Sequence, residues 1–256
     1  LVTVSAANTL TAAITNTSTN QGTLTLDSAS AVVGAVGSTG VGLKQVTVNG
    51  GNAAITGNTL ATNFSVNSNT LAITGTLGLP ATGVVNTTAG GSTFGKITST
   101  GDATVPTGAT INVNVASPLV SGTALKVIDG AGTGSNGNTI SVTDNSARYT
   151  FTAANATGDV TVTPTLVPAS TLSTSENSRS VGAVLDSLAT SASGDMALIE
   201  NELSMLSTSS QVDAALNQLH PVMNQGVTDV SNTALNQLIN TITTHLDNIR
   251  NGVNTG

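Results

Sequence analysis

Seven short runs in the first half of the chain alternate apolar residues with Thr, Ser, Asn or Lys: "LVTV" (1–4), "TLTL" (23–26), "KQVTV" (44–48), "NFSV" (63–66), "TLAIT" (70–74), "TINVNV" (110–115) and "ALKVI" (124–128). Alternation with period two sends successive side chains to opposite sides of an extended strand, so each run predicts a strand with one buried face. Turn-forming clusters lie between them, including "GSTG" (37–40), "NGGN" (49–52) and "GAGTGSNGN" (130–138). With Val4, Leu24, Val46, Phe64, Val84, Val105 and Leu125 as markers, the pattern recurs at about 20 residues, the kind of fixed period that indicates a stacked solenoid.

These features predict a mainly β fold, a right-handed parallel β-helix with a C-terminal β cap followed by an α-helical linker region. In such a coil, inward Val, Leu and Ile stack on the coils above and below, while Thr, Ser and Asn face out or form ladders at the bends. Aromatic residues are only 2% and charged residues 7% of 256, so the core has to be aliphatic. A β-sandwich also gives many short strands, but it calls for more aromatics and for turn signals every 8–12 residues or so. The cap is placed at about 110–165, with hairpin strands expected at 139–143, 148–152 and 159–163 and with Tyr149 and Phe151 plugging the end of the core.

Pro164 and Pro168 in "TVTPTLVPAST" mark a boundary. Residues 1–170 carry five acidic and four basic side chains, residues 171–256 eight and two, and only five of 27 glycines fall in the second part. Two regions follow: 1–168, the β-helix with its cap, and 169–256, helical. In the second region the period changes to i, i+3, i+4, i+7. Val181, Val184, Leu185 and Leu188 share one face of 175–190. Met196, Ile199, Leu203 and Leu206 do so in 193–206, and Val212, Ala215, Leu216 and Leu219 in 210–220. Ser210 and Asp213 are spaced as a capping box, and Pro221 ends that helix. A fourth segment, about 228–250, carries Leu235, Leu238, Ile242, Leu246 and Ile249 on one stripe and is too polar to face lipid.

The repetitive Thr/Gly/Asn-rich part, the "GTALKVIDGAGTG" stretch, "VGAVLDSLATSASGDMALIENELSML" and "QVDAALNQLHPV" together resemble the passenger and linker of type V autotransporters. More narrowly, "AVVGAVGSTGVGLKQVTVNGG" with "NTITTHLDNIRNG" is similar to the outer-membrane protein B group of rickettsial surface cell antigens. The resemblance implies display on the outer face of a Gram-negative outer membrane, and adhesion to or invasion of host cells through a host cell-surface protein. It also implies a linker leading to the protein's own outer-membrane barrel, which lies outside this sequence. On this reading the chain is an internal fragment of a longer precursor. Two other readings stand beside it: a structural spacer and folding cap presenting an upstream adhesive region, and a carbohydrate-active β-helix enzyme.

Little in the sequence points to chemistry. With net charge −7 and six scattered Lys and Arg, no basic patch exists for nucleic acid. The absence of Cys removes disulfides and thiolate chemistry. Gly132, Gly134 and Gly137 match G-x-G-x-x-G, but a strand rather than a helix follows, so a turn is expected. Asp129 beside this loop offers too few oxygens for calcium. His220 and His245 lack a third metal ligand at suitable spacing, and Asp27, Asp102, Asp129, Asp144 and Asp159 are spread singly, against glycoside cleavage. No catalytic residue, cofactor or metal is expected. Asn251 and Asn254 in "RNGVNTG" lie where autotransporters are cut between passenger and barrel, although a Gly/Asn helix cap is the favoured account of them.

Overall fold

The computed structural model describes residues 1–189, 191–219 and 226–252. It is a mainly β parallel solenoid of about five turns followed by four C-terminal helices. Each full coil has three faces. On the first face the strands Val2–Val4, Gln21–Asp27, Leu43–Asn49, Thr59–Asn67, Val84–Gly91, Thr110–Leu119 and Ser141–Asp144 pair in parallel, in sequence order. The second face stacks Thr9–Leu10, Ala31–Val33, Ala53–Thr56, Thr70–Thr74, Lys96–Thr104 and Leu125–Ala131. A narrower third face links Ile14, Val36, Thr59, Leu77 and Ala103 from coil to coil.

The register decides what is buried. Val2, Leu24, Val46, Phe64, Val85, Ile111 and Val142 form one continuous rung series, of which Leu24, Val46, Phe64, Val85 and Ile111 are fully enclosed. The intervals are 22 residues at first, then 18, 21, 26 and 31, so the coil lengthens toward the C-terminus. Leu24, Val46 and Phe64 are therefore true equivalents among the sequence markers. Val4 pairs with Leu26 instead, and Val85 rather than Val84 points inward. Val105 follows the third face, and Leu125 belongs to the second. A one-residue slip moves a side chain to the other side of the sheet, and adjacent valines leave that choice open in the sequence.

Outward positions on the first face form a polar ladder. Ser65 accepts from Gln45 at 3.0 Å and from Asn86 at 3.3 Å, Asn112 donates to Asn86 at 3.0 Å, and Thr143 donates to Asn112 at 3.0 Å. At one corner the coils approach so closely that only glycine fits. A Cβ on Gly57 would lie 2.6 Å from the Gly34 carbonyl carbon, one on Gly75 2.7 Å from that of Gly57, and one on Gly101 2.8 Å from the Gly75 oxygen.

At the C-terminal end the direction reverses. Asp159–Leu166 pairs antiparallel with both Leu125–Ala131 and Tyr149–Ala156, the latter joined to it by a tight turn in which Thr157 (φ 53°) and Gly158 (φ 82°) are left-handed. The hairpin occupies the edge that a further parallel strand would otherwise extend. Of the three expected cap strands, the first (Ser141–Asp144) is a parallel solenoid rung rather than part of the hairpin.

The chain separates into two compact units, Leu1–Gln218 and Leu219–Gly256. The first unit runs on beyond the last strand, Asp159–Leu166, through three helices: α1 (Glu176–Leu188), α2 (Asp195–Ser204) and α3 (Ser209–Leu219). Ala169, Leu185, Leu203, Val212 and Leu216 form their small core, with Ala147 of the β region packed against it. Val184 and Leu219, expected on the buried faces, are 58% and 43% exposed. The expected Ser210/Asp213 cap is also corrected. Thr208 accepts the Gln211 N–H at 3.3 Å and Gln211 Oε1 accepts the Ser207 and Thr208 N–H groups at 3.1 Å, a capping box two residues earlier. Asp213 serves α1 instead, accepting from Thr174 N–H at 3.0 Å and Ser178 Oγ at 2.7 Å. In the second unit α4 (Gly226–Arg250) is a 25-residue helix on which Leu235, Leu238, Ile242, Leu246 and Ile249 are all at least half exposed. None of the described helices is long and apolar enough to cross a membrane.

Candidate functional site

Tyr149 and Phe151 start the returning hairpin, and alternation puts both on its inner side. Tyr149 is buried in the solenoid core, and its hydroxyl bridges one residue of the neighbouring strand: it accepts the Leu119 N–H at 2.8 Å and donates to the Leu119 carbonyl at 3.2 Å. Burial raises the Tyr149 pKa above its ordinary value. Phe151 is half-buried against the same core, its ring centroid 6.2 Å from that of Tyr149. These rings tie the last long solenoid strand to the hairpin.

Beside them lies a group that composition did not reveal. Arg148 is 1% exposed, the largest fully enclosed side chain of the described structure. Its Nη2 lies 3.6 Å from Asp186 of α1 and 3.5 Å from Glu200 of α2. Asp186 is otherwise well satisfied, accepting from the Ala169 and Ser170 N–H groups at 2.7 and 3.1 Å and from Ser170 Oγ at 2.8 Å. Glu200 is not: its Oε1 is buried without a hydrogen-bond partner, as are Nε and Nη1 of Arg148. Burial raises the Glu200 pKa, Asp186 raises it further, and Arg148 opposes both. Three charges from the hairpin and two helices thus meet where the β region is joined to the helices. A cavity of about 470 Å³ adjoins them, lined among others by Leu119, Val120, Leu166 and Ala197. The signal available in the sequence was faint: one of only six basic residues, placed directly before the only tyrosine.

The glycine-rich loop takes another role than anion binding. A Cβ on Gly132 would lie 2.2 Å from Asp102 Oδ1, and Gly134 donates its N–H to that oxygen at 3.0 Å. A carboxylate of the chain itself therefore occupies the space the glycines leave. Ser135 and Asn138 bind the loop to the preceding coil, Ser135 donating to the Ala103 carbonyl at 2.6 Å and Asn138 to that of Val105 at 2.8 Å. Asp129 faces Lys126 at 3.4 Å, and the same Lys126 reaches Asp159 at 2.8 Å, so both aspartates belong to an ion-paired cluster at the hairpin.

Along the third face runs a groove of about 540 Å³ crossing successive coils. Register puts two outward columns on its floor: Ala35, Asn58, Thr76 and Asp102, and beside it Thr15, Gly37, Leu60, Gly78 and Thr104. A tight turn at Ser38–Val41, closed by reciprocal 2.9 Å backbone bonds, forms one wall.

Among the described residues no group of three or more His, Cys, Asp or Glu is placed to hold a metal ion. His245 is an exposed residue of α4, and His220 lies outside the described residues. Asn251 follows α4 with its N–H on the Asp247 carbonyl at 2.9 Å, and Gly252 (φ 70°) closes the helix with an N–H to Ile249 at 3.2 Å. Asn254 lies outside the described residues. No protein-family model matches the chain, and neither a curated protein nor a solved structure matches it. The β-solenoid fold is thus established without a family assignment.

Proposed function

We propose that the chain is a passenger segment of the type V autotransporter kind, similar to the outer-membrane protein B group of rickettsial surface cell antigens. It would be displayed on the bacterial surface for adhesion to and invasion of host cells, with no chemistry of its own. One combination supports this reading: a parallel solenoid of about five turns, closed by an antiparallel hairpin and followed directly by four helices. A solenoid built from coil-on-coil contacts can fold progressively as it emerges from a pore, because each coil needs only its neighbour as a template. The partners on this reading are a host cell-surface protein and the protein's own outer-membrane barrel.

The test is binding of the purified chain to host cells beside a longer passenger containing it. Binding by the chain alone supports adhesion. Binding by the longer passenger only replaces this reading with that of a spacer and folding cap. Surface display of a Phe151→Ala passenger addresses the secretion side, and unchanged display would count against a role for the hairpin in export.

A further inference from the structure

We propose that the groove on the third face is a binding site for a linear, uncharged glycan. Its floor combines what a pyranose chain needs. Leu60 is a half-buried apolar side chain that lies over Gly78, a Cβ on which would meet Leu60 Cδ1 at 2.9 Å, and so presents an apolar patch on the floor. A sugar ring sets its C–H face on such a plate. Around it Asn58, Thr76, Asp102 and Thr104 are exposed and present amide, hydroxyl and carboxylate groups on three successive coils. Asn58 turns its Oδ1 to the Thr76 N–H at 3.0 Å, which fixes the side chain and leaves its amide N–H₂ to donate outward. Asp102 is held in the same way by Gly134 through Oδ1, leaving Oδ2 as acceptor for ligand hydroxyls.

Charge and periodicity select the ligand class. No Lys or Arg lines the groove and its one acidic residue is Asp102, so nothing there pairs with the charge of sulfated or sialylated chains, while neutral hydroxyls are accepted. Coils repeat every ~4.8 Å along the groove, so polar groups are offered at successive levels along its length, which suits an extended chain. A peptide fits poorly, because the floor strands already pair with the coils on either side and cannot take an added strand. The site needs neither surface display nor adhesion, so its test is independent of the proposed function.

The experiment is titration of the purified chain with linear neutral hexasaccharides of glucose, mannose and N-acetylglucosamine, followed by calorimetry and by NMR shifts of the Leu60 and Thr76 amides. A heparin hexasaccharide and an uncharged acetylated hexapeptide are the comparisons. Saturable binding of at least one neutral hexasaccharide is expected, with shifts confined to the groove. Thr76→Arg should weaken it by about tenfold or more, a loss of ~1.4 kcal/mol or more, while Thr74→Arg on the second face should not. Both positions are exposed, and unchanged far-UV circular dichroism verifies that each variant is folded. Three results overturn the proposal: no saturable binding of any neutral hexasaccharide at millimolar concentration, tighter binding of heparin or peptide, or full binding by Thr76→Arg.

Discussion

Replacing Arg148 by Met tests whether the buried charges bind the helices to the solenoid. At about 3.5 Å and an effective dielectric near 20, each ion pair contributes on the order of 4–5 kcal/mol of attraction. Desolvating the three charges offsets much of that, so the pairs add little net stability. Removing only the cation is another matter. Asp186 keeps its three donors from Ala169 and Ser170, but Glu200 is left buried with neither carboxylate oxygen compensated. Arg148→Met is therefore expected to destabilise the joint by about 3–5 kcal/mol, the usual cost of stranding one member of a buried pair. Adding Glu200→Gln should restore all but ~1 kcal/mol, a non-additivity of about 2–4 kcal/mol plus the effect of Glu200→Gln alone. The joint can open while the solenoid stays folded, so the readout should be local. The Ala147 amide donates to the Leu206 carbonyl at 2.7 Å across this joint, and its hydrogen exchange reports the opening free energy. Protection unchanged within ~0.5 kcal/mol in Arg148→Met would refute the reasoning, as would a double variant no better than the single one.

Three further outcomes follow from particular contacts. Because burial raises the Glu200 pKa, the folded state holds that proton more tightly than the unfolded chain, so wild-type stability should rise as pH falls through the folded pKa toward the ordinary 4.5. Glu200→Gln should lack this component, so wild-type stability should rise relative to that of the variant on acidification; parallel pH profiles of Ala147 exchange would contradict it. Gly57→Ala forces a Cβ to 2.6 Å from the Gly34 backbone and should cost about 2–3 kcal/mol or more in urea unfolding. Gly50→Ala, with open space but φ 74°, should cost only about 1–2 kcal/mol, and equal losses would remove the corner-clearance argument. Tyr149→Phe strands both polar groups of Leu119 and should cost about 1–3 kcal/mol in the same measurement.

What the sequence determined by itself was local. Period-two runs such as "TLTL" and "KQVTV" became strands with Leu24, Leu26, Val46 and Val48 inside, because alternation permits no other burial of those side chains once a strand forms. The switch to helical period after Pro168 was equally legible, as were Leu185, Leu203, Val212 and Leu216 as packing residues. The glycine-rich loop was readable as a turn from the strand that follows it.

Tertiary structure decided everything that depends on which coil lies against which. Val85 rather than Val84 faces inward because Phe64 on the preceding rung sets the register. Gly34, Gly57, Gly75 and Gly101 are tied to one corner by contact across 18 to 26 residues, a relation no short window contains. Asp213 braces the start of a helix that begins 37 residues before it, and Asp102 fills a glycine loop about 30 residues downstream. Arg148 looked like any scattered surface charge until α1 and α2 closed over it. A polar side chain's burial, partner and charge state are properties of the groups brought against it, and those arrive only when the chain has folded.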